Sequence, residues 1–341
     1  MSVWKTRIAR LVGLVTELLR RYPRAIAVFG FVSGLASFLL VDRQASLAKL
    51  IAVTMLVSWL WLVLESTLRR CTARWFGFDL PPPLLRYATQ MIHQESLFFV
   101  LPFFFITTTW NSGQALFTGL LGAAALASIT DPLYYKGLAA RRWVFMSFHS
   151  LTLFAVLLTA LPIILHLSTP QAYVWSLGVA AVLSFPSLIG SLKLAGWRRW
   201  LISLMLMLVL GAVGWQARLW VPPSTLWLGE VAVTEQFDDL SRKPGVSVES
   251  ISAAQLKSQG LYAFTRINAP RGLKERIYHV WQHDGQIVDR IALDIHGGGK
   301  EGYRSWTHKQ NFPDDVVGDW QVQVVTEAGQ MIGVLRFEVT P

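Results

Sequence analysis

Long apolar segments separated by short polar loops occupy residues 24–217, whereas apolar and polar residues alternate at shorter intervals from about residue 227 onward. A bilayer core about 30 Å thick needs about 20 mostly apolar residues per helix. Seven segments approach that length, so the pattern predicts an α-helical polytopic membrane bundle. The predicted spans are Ala25–Val41, Leu47–Ser66, Glu95–Thr109, Gln114–Thr130, Val144–Leu165, Ala172–Ser191 and Leu201–Ala217.

Charge is distributed unevenly between the two halves of the chain. Residues 1–217 hold 18 of the 31 Lys and Arg residues but only 6 of the 21 Asp and Glu residues. The basic residues cluster in the N-terminal tail and in the loops after the second, fourth and sixth spans. The positive-inside rule then places the N-terminus in the cytoplasm and the C-terminal tail outside. This predicts a multi-pass bacterial inner-membrane protein with a periplasmic C-terminal domain, and no nucleic-acid partner, because topology accounts for the basic excess.

The first 23 residues predict a basic amphipathic helix that lies on the cytoplasmic leaflet of the bilayer. Apolar residues recur there at helical spacing, and basic residues occupy the other faces. The basic region is too long for a cleavable signal, and no small-residue cleavage site follows it. The apolar positions are Ile8, Leu11, Val12, Val15, Leu18 and Leu19.

Five ionisable residues lie within or at the ends of the predicted spans, near the cytoplasmic side. They are Glu65, His93, Glu95, Asp131 and His149. Ionisable groups are costly inside a membrane and therefore raise a functional hypothesis, here a shared polar pocket. The alternative is a structural set whose members reach water or headgroups separately. Glu95 and His149 are the best candidates for a pocket because they lie deepest.

No metal or cofactor is expected at these positions. His93 and Glu95 are two residues apart, so on a helix their side chains diverge by about 200°. The predicted spans also contain no His-x-x-x-His or Glu-x-x-His pair of the kind that places two ligands on one helix face. The sequence therefore predicts neither a metal site nor a named catalytic residue, and it favours a non-enzymatic protein.

Residues 218–226 read as a Pro-rich linker, and residues 227–341 predict an antiparallel β-sandwich of the immunoglobulin type. Trp320, Val322 and Val324 alternate with glutamines, as they would in a strand with one buried face. Asp284-Gly285 and Ala328-Gly329 stand between such runs as hairpin turns. One short helix is expected within residues 249–258, followed by a strand at Leu261–Ile267.

The segment from Tyr303 to Lys309 is the part of the tail whose composition most resembles a binding site. Aromatic rings interleaved with cations can bind sugars or anionic polymers by stacking and hydrogen bonding. The candidate binding face consists of Tyr303, Arg304, Trp306 and Lys309. The alternative is that Trp306 is a core residue of the sandwich.

The tail also resembles a known domain. The residues that carry the resemblance are His279-x-Trp281, Gly285, Ile295-x-Gly297-Gly298, Tyr303-Arg304-x-Trp306-Thr-x-Lys309 and Gly318-x-Trp320-x-Val322-x-Val324. They are similar to a domain of unknown function at the C-termini of proteobacterial envelope proteins. The segments Gln94–Phe99 and Asp131–Tyr134 resemble the uncharacterised membrane region often fused to it. The resemblance implies a bacterial inner-membrane setting and a β-sandwich tail, and it implies no activity.

Two functions are compatible with these patterns. In the first, a membrane-anchored sandwich binds an envelope glycan or a periplasmic protein without catalysis. In the second, the membrane region is a transporter or an enzyme with a polar pocket, and the sandwich is an accessory domain. The sequence favours the first, and it leaves the ligand, the protein partner and the oligomeric state open.

Overall fold

The computed structural model describes residues 3–22, 25, 28–29, 32, 36, 49–50, 52–59, 74, 81–191, 196–269, 274–296 and 302–341. Most of the first two predicted spans, and Glu65, therefore lie outside the described residues. Residues 52–59 are helical. The described chain forms a helical N-terminal region that is followed by an all-β domain with antiparallel sheets.

Long helices account for most of the described N-terminal region. They are α1 (Val3–Arg21), α2 (Pro82–Thr107), α3 (Gln114–Ile129), α4 (Arg142–Leu165), α5 (Thr169–Ser191) and α6 (Trp197–Gln216). A π-helical turn, Pro132–Leu138, lies between α3 and α4, and a 3₁₀ turn, Ala217–Trp220, follows α6. The predicted N-terminal helix is confirmed, and Leu11, Leu14 and Leu18 on it are exposed.

The part of the chain that the structure describes contains fewer membrane-spanning helices than the sequence predicts there. Among the described residues, two helices are long and apolar enough to cross a bilayer, Arg142–Leu165 and Trp197–Trp220. A third is obtained if α3 and the π-helical turn, bent by 105°, count as one broken span. Helix α3 has 16 residues, or about 24 Å, which is shorter than a bilayer core. Helix α2 begins well before the predicted span and carries polar residues through its first half.

The chain divides into two compact units. The first contains residues 1–102, 120–160 and 176–211, and the second contains residues 103–119, 161–175 and 212–341. The second unit therefore combines the β domain with the turns that join α2 to α3 and α4 to α5. Within it, the Gln114 side-chain amide donates a hydrogen bond of 2.7 Å to the Met331 carbonyl.

The predicted linker at residues 218–226 is not a free spacer. Residues 221–226 are buried within the second unit, and Leu226 belongs to the hydrophobic core of the β domain. The Gln330 amide donates a hydrogen bond of 2.9 Å to the Val221 carbonyl. Two prolines lack backbone N–H groups, so the segment can be buried with few donors left unpaired.

The β domain contains ten strands in the described chain. They are β1 (Trp227–Thr234), β2 (Phe237–Asp238), β3 (Lys243–Pro244), β4 (Ser250–Ser252), β5 (Leu261–Asn268), β6 (Lys274–His283), β7 (Gln286–His296), β8 (Tyr303–Lys309), β9 (Gly318–Thr326) and β10 (Met331–Thr340). One sheet has the order β1-β5-β8, a second has the order β4-β10-β9-β6-β7, and β2 pairs with β3. All pairs are antiparallel except β4 with β10.

Both larger sheets contribute to one hydrophobic core. Ala263 and Ile267 come from the three-stranded sheet, and Trp281, Trp320 and Val322 come from the five-stranded sheet. The predicted alternation in β9 is confirmed, because Trp320, Val322 and Val324 are buried. Alternation works here because successive strand side chains point to opposite faces of the sheet.

The local predictions for the tail are also confirmed. Helix α7 (Ala253–Gln259) lies where a short helix was predicted, and it begins with a capping box formed by Ser252 and Gln255. Asp284 and Gly285 join β6 to β7 with φ angles of 45° and 79°. Two successive positive φ angles match a type I′ turn, which suits the twist of a hairpin.

Candidate functional site

A chain of hydrogen bonds links three side chains from separate elements of the first unit. The Tyr134 hydroxyl lies 2.9 Å from His93 Nδ1. His93 Nε2 lies 2.9 Å from His149 Nδ1. His93 comes from α2, Tyr134 from the π-helical turn and His149 from α4. Both nitrogens of the fully buried His93 ring are therefore engaged, one on each side.

Aromatic rings enclose this chain. The Trp59 ring lies 4.6 Å from the His149 ring and 5.5 Å from the His93 ring, measured between centroids. Phe148 contacts His93 edge-on at 5.0 Å, and Phe145 contacts it at 5.7 Å. The His93 ring is fully buried among these rings, whereas His149 is half-buried.

One face of α2 supplies most of the buried polar groups in this region. Gln90, His93 and Ser96 are spaced by three residues and are all buried, as expected for side chains that share a helix face. Ser96 Oγ accepts a hydrogen bond of 3.0 Å from Trp59 Nε1. The Gln90 amide donates to Asp131 Oδ1 at 3.0 Å. This spacing was the sequence signal that could have identified the face.

The predicted polar pocket is thus assembled in part, with a different membership. His93 and His149 meet directly, whereas Asp131 is held by Gln90 and does not touch the histidines. Glu95 lies two residues beyond His93, on another side of α2, and takes no part in the described chain of hydrogen bonds. Tyr134, which sequence reasoning did not propose as a site residue, is the hydrogen-bond partner of His93 Nδ1.

A pocket of about 440 Å³ opens beside Tyr134. Its polar lining comes from Arg86, Thr89, Tyr134 and Tyr135. Its apolar lining comes from Leu85, Ala139, Ala140 and Phe145. The volume lies within the range of small-molecule sites. Tyr134 belongs to both the lining and the hydrogen-bonded chain, so it connects the pocket residues with the two histidines.

Among the described residues, no group of three His, Cys, Asp or Glu side chains could hold a metal ion. Both nitrogens of the His93 ring are already engaged by Tyr134 and His149. A phenol and two imidazoles joined by hydrogen bonds can accept and donate protons.

The four residues of the predicted binding face on β8 do not share one face. Tyr303 packs against the core, and Lys309 is buried with its ammonium 2.9 Å from the Asp289 carboxylate. Arg304 and Trp306 alternate with these residues and lie on the outer face of the three-stranded sheet. The Trp306 ring stacks on Phe237 from β2 at 4.4 Å.

The outer face also carries residues that the sequence did not single out. Tyr262 and His308 are cross-strand neighbours whose rings stack at 3.9 Å, only 4° from parallel. Arg266 and Arg304 stand directly opposite each other across β5 and β8. Like charges in this position repel, so an anion bound between them would be favourable. The revised candidate face is therefore Tyr262, Arg266, Arg304, Trp306 and His308.

These features define a protein with an apolar helical region that contains a buried histidine pair, followed by an all-β domain. Residues 1–263 match a family described as a family of unknown function (DUF5924), and the chain belongs to that family. Residues 274–339 match a second one, described as a protein of unknown function (DUF2914). No curated protein and no solved structure matches the chain.

The two family matches meet within a single folded domain. The first match ends at residue 263, inside β5, and the second begins at residue 274, where β6 begins. Strand β5 pairs with β8, and β4 pairs with β10, so strands from both matches share each of the two larger sheets. The second match is therefore a part of the β domain and lacks the strands that complete its sheets.

Proposed function

We propose that this chain is a bacterial inner-membrane protein that moves protons through its helical region, with the β domain as a periplasmic accessory domain. The observation that carries the proposal is the Tyr134–His93–His149 chain, which starts at a pocket and continues into the helices. Of the two functions compatible with the sequence, the membrane-embedded one gains most from this geometry.

The two helices that are apolar enough to cross a membrane support a periplasmic location of the β domain. Arg142 begins α4, and Arg198 and Arg199 lie in the first turn of α6. The positive-inside rule favours placing these ends in the cytoplasm. Because α6 leads directly into the β domain, the β domain then belongs on the periplasmic side. The exposed apolar residues of α1 suit a helix on the cytoplasmic leaflet.

The hydrogen-bonded chain has two proton arrangements in which both rings are neutral. In the first, the Tyr134 hydroxyl donates to His93 Nδ1, and His93 Nε2–H donates to His149 Nδ1. In the second, each donor and acceptor is reversed. Conversion of the first into the second takes up one proton at the Tyr134 oxygen and releases one from His149 Nε2. The protons balance and no ring remains charged, which is what a proton relay requires.

Proton flux through the full chain tests this proposal. The protein is reconstituted in liposomes that contain a trapped pH-sensitive dye, and a pH gradient is imposed with potassium and valinomycin. We expect the wild-type protein to collapse the gradient faster than empty liposomes do. We expect His93→Leu to lower the excess flux about a hundredfold, the order of one lost proton-transfer group.

Tyr134→Phe provides a gentler variant, because it removes one hydroxyl and preserves the ring. His166→Asn is the matched control, since His166 is exposed in the turn after α4 and has a positive φ that Asn tolerates. The proposal is overturned if wild-type protein gives no excess flux, or if the two relay variants conduct as well as the control.

A second function has support from the β domain, namely binding of an envelope glycan or a periplasmic protein partner. Stacked aromatic rings beside the Arg266 and Arg304 pair resemble a surface that holds a sugar and its acidic group. Calorimetric titration of the full chain with muropeptides and lipopolysaccharide tests it. Binding that is lost in His308→Ala but kept in the exposed Val246→Ala variant supports this function, and no binding to either probe refutes it.

A further inference from the structure

The pocket beside Tyr134 has a polar half and an apolar half, both built from residues of the first unit. Arg86 is the cation of the described lining, and the Thr89 and Tyr135 side chains lie with it on the polar side. Leu85, Ala139, Ala140 and Phe145 supply the apolar side. Such an amphipathic lining suits a ligand that has a polar head and a hydrocarbon portion.

The charge of the surroundings favours an anion. No Asp or Glu belongs to the described lining. The nearby Asp131 carboxylate is turned to the Gln90 amide at 3.0 Å, and the other amide function of Gln90 accepts a hydrogen bond of 2.6 Å from the Tyr135 hydroxyl. Lys136 and Arg141, both exposed, lie beside the lining residues along the chain. An anionic group at Arg86 would therefore meet cations, whereas the Thr89 and Tyr135 hydroxyls already donate to the Leu85 carbonyl and to Gln90.

We propose that this pocket binds the phosphate headgroup of an anionic membrane lipid, with Arg86 on the phosphate and the first carbons of the lipid tails against Phe145. Basic pockets beside membrane helices bind anionic headgroups by this combination of charge and apolar contact. The inference rests on the proposed membrane location of the helical region, and it is independent of proton movement.

Tyr134 gives this ligand a position next to the relay. Tyr134 lines the pocket, and its hydroxyl hydrogen-bonds the buried His93. A phosphate oxygen held by Arg86 would be an acceptor for that hydroxyl, and its presence would favour one of the two proton arrangements over the other. The lipid would then act as a structural ligand that also biases the direction of the relay.

Native mass spectrometry of the full chain tests this inference. The protein is extracted from vesicles that contain equal amounts of phosphatidylglycerol and phosphatidylcholine, and the retained lipids are counted. We expect phosphatidylglycerol to be retained preferentially, and Arg86→Gln to weaken that preference about tenfold, the effect of one lost charge-assisted contact. Arg142→Gln is the matched control, because Arg142 is exposed close by but does not line the pocket.

Ala139→Leu provides a second variant that fills the pocket without changing its charge, and it should also reduce retention. Equal retention of the two lipids, or equal losses in Arg86→Gln and Arg142→Gln, would overturn the inference. Displacement of the lipid by inorganic phosphate would do so as well, because it would identify a free anion as the ligand. Proton flux in a wild-type protein that retains the two lipids equally would contradict the inference alone, whereas normal lipid preference in a wild-type protein without flux would contradict the relay alone.

Discussion

Glu275 accepts a hydrogen bond of 2.7 Å from the backbone N–H of Thr169, the first residue of α5. A strand of the β domain thereby caps the N-terminus of a long helix, within the second unit. Both residues are buried, with 4% and 7% of their surface exposed. A carboxylate at a helix N-terminus satisfies an N–H group that has no partner within the helix.

This contact should make the second unit sensitive to pH. Burial raises the pKa of Glu275 to about 7, although the hydrogen bonds from Thr169 act in the opposite direction. The described charged neighbours are Glu327, which also raises this pKa, and Arg276, whose guanidinium lies 3.9 Å from the Glu327 carboxylate. The folded state therefore holds a proton that the unfolded chain loses near pH 4.5.

Because the folded state binds more protons in this range, stability falls as pH rises from about 4.5 to about 7. The loss amounts to roughly 3 kcal/mol at most. We expect Glu275→Gln to remove this dependence, whereas Glu338→Gln, an exposed carboxylate on β10, should preserve it. Hydrogen exchange of the Thr169 amide, corrected for the intrinsic rate, measures the effect. If the Thr169 amide of the wild-type protein is equally protected from exchange at about pH 4.5 and about pH 7, the prediction is contradicted.

His279 joins the two larger sheets of the β domain. Its ring nitrogens lie 3.1 Å from Thr265 Oγ1 and 3.0 Å from Thr307 Oγ1, across the core from its own strand. His279→Ala would leave a cavity and two buried hydroxyls without this partner. We expect a loss of about 3–5 kcal/mol in the free energy of unfolding. Denaturant unfolding checks this, with His308→Gln on the outer face as the control, and a loss below 1 kcal/mol would contradict it.

The same histidine should make the β domain sensitive to acid. Burial lowers the pKa of His279 to about 3. The unfolded chain therefore binds a proton at this residue near pH 6.5, whereas the folded state binds it only near pH 3. Stability is fully present above about pH 6.5 and is lost as pH falls toward about 3. His279→Gln should flatten this part of the stability profile. An equally steep acid transition in the variant would assign the effect to other groups.

Gly260 and Gly285 both have positive φ, but only Gly260 has neighbours that an added Cβ would contact. A Cβ at Gly260 would lie 2.6 Å from the Lys309 carbonyl oxygen, whereas a Cβ at Gly285 would meet nothing within 4 Å. We expect Gly285→Ala to cost about 1 kcal/mol from strain alone, and Gly260→Ala to cost at least about 2 kcal/mol more. Thermal unfolding of the two variants tests this, and equal midpoints would show that β8 moves away without cost.

The β domain should not fold from the second family match alone. A fragment of residues 264–341 lacks β1 to β4 and the first three residues of β5, so β8 and β10 lose neighbours. We expect it to be unfolded, whereas a fragment of residues 221–341 retains every described strand and should show dispersed amide resonances. A folded shorter fragment would contradict the shared-domain interpretation.

Local features of this fold could be predicted where neighbouring residues decide the structure. Alternation in Trp320–Val324 placed those side chains in the core, and the Asp284-Gly285 pair supplied a turn that favours positive φ. The capping box at Ser252 and Gln255 began the expected short helix. The number of spans was not predictable in this way, because apolar composition does not reveal where a helix begins, as the early start of α2 at Pro82 shows.

The candidate sites show the same division. Two histidines in apolar segments could be recognised as unusual from the sequence, but they are 56 positions apart, and no pattern paired them with each other or with Tyr134. On β8, strand periodicity could have separated Tyr303 and Lys309 from Arg304 and Trp306. The ring of Phe237 that covers Trp306 could not have been foreseen.

The sequence by itself determined an apolar helical half, a strand-rich tail and the residues with chemistry to offer, since burial and periodicity act over a few neighbouring positions. Only the tertiary structure decided that His93 touches His149 and not Glu95, and that Glu275 caps α5 from 106 residues away. It also decided that residues 221–226 are buried. These outcomes depend on which distant surfaces pack together, and that packing depends on residues from the whole chain.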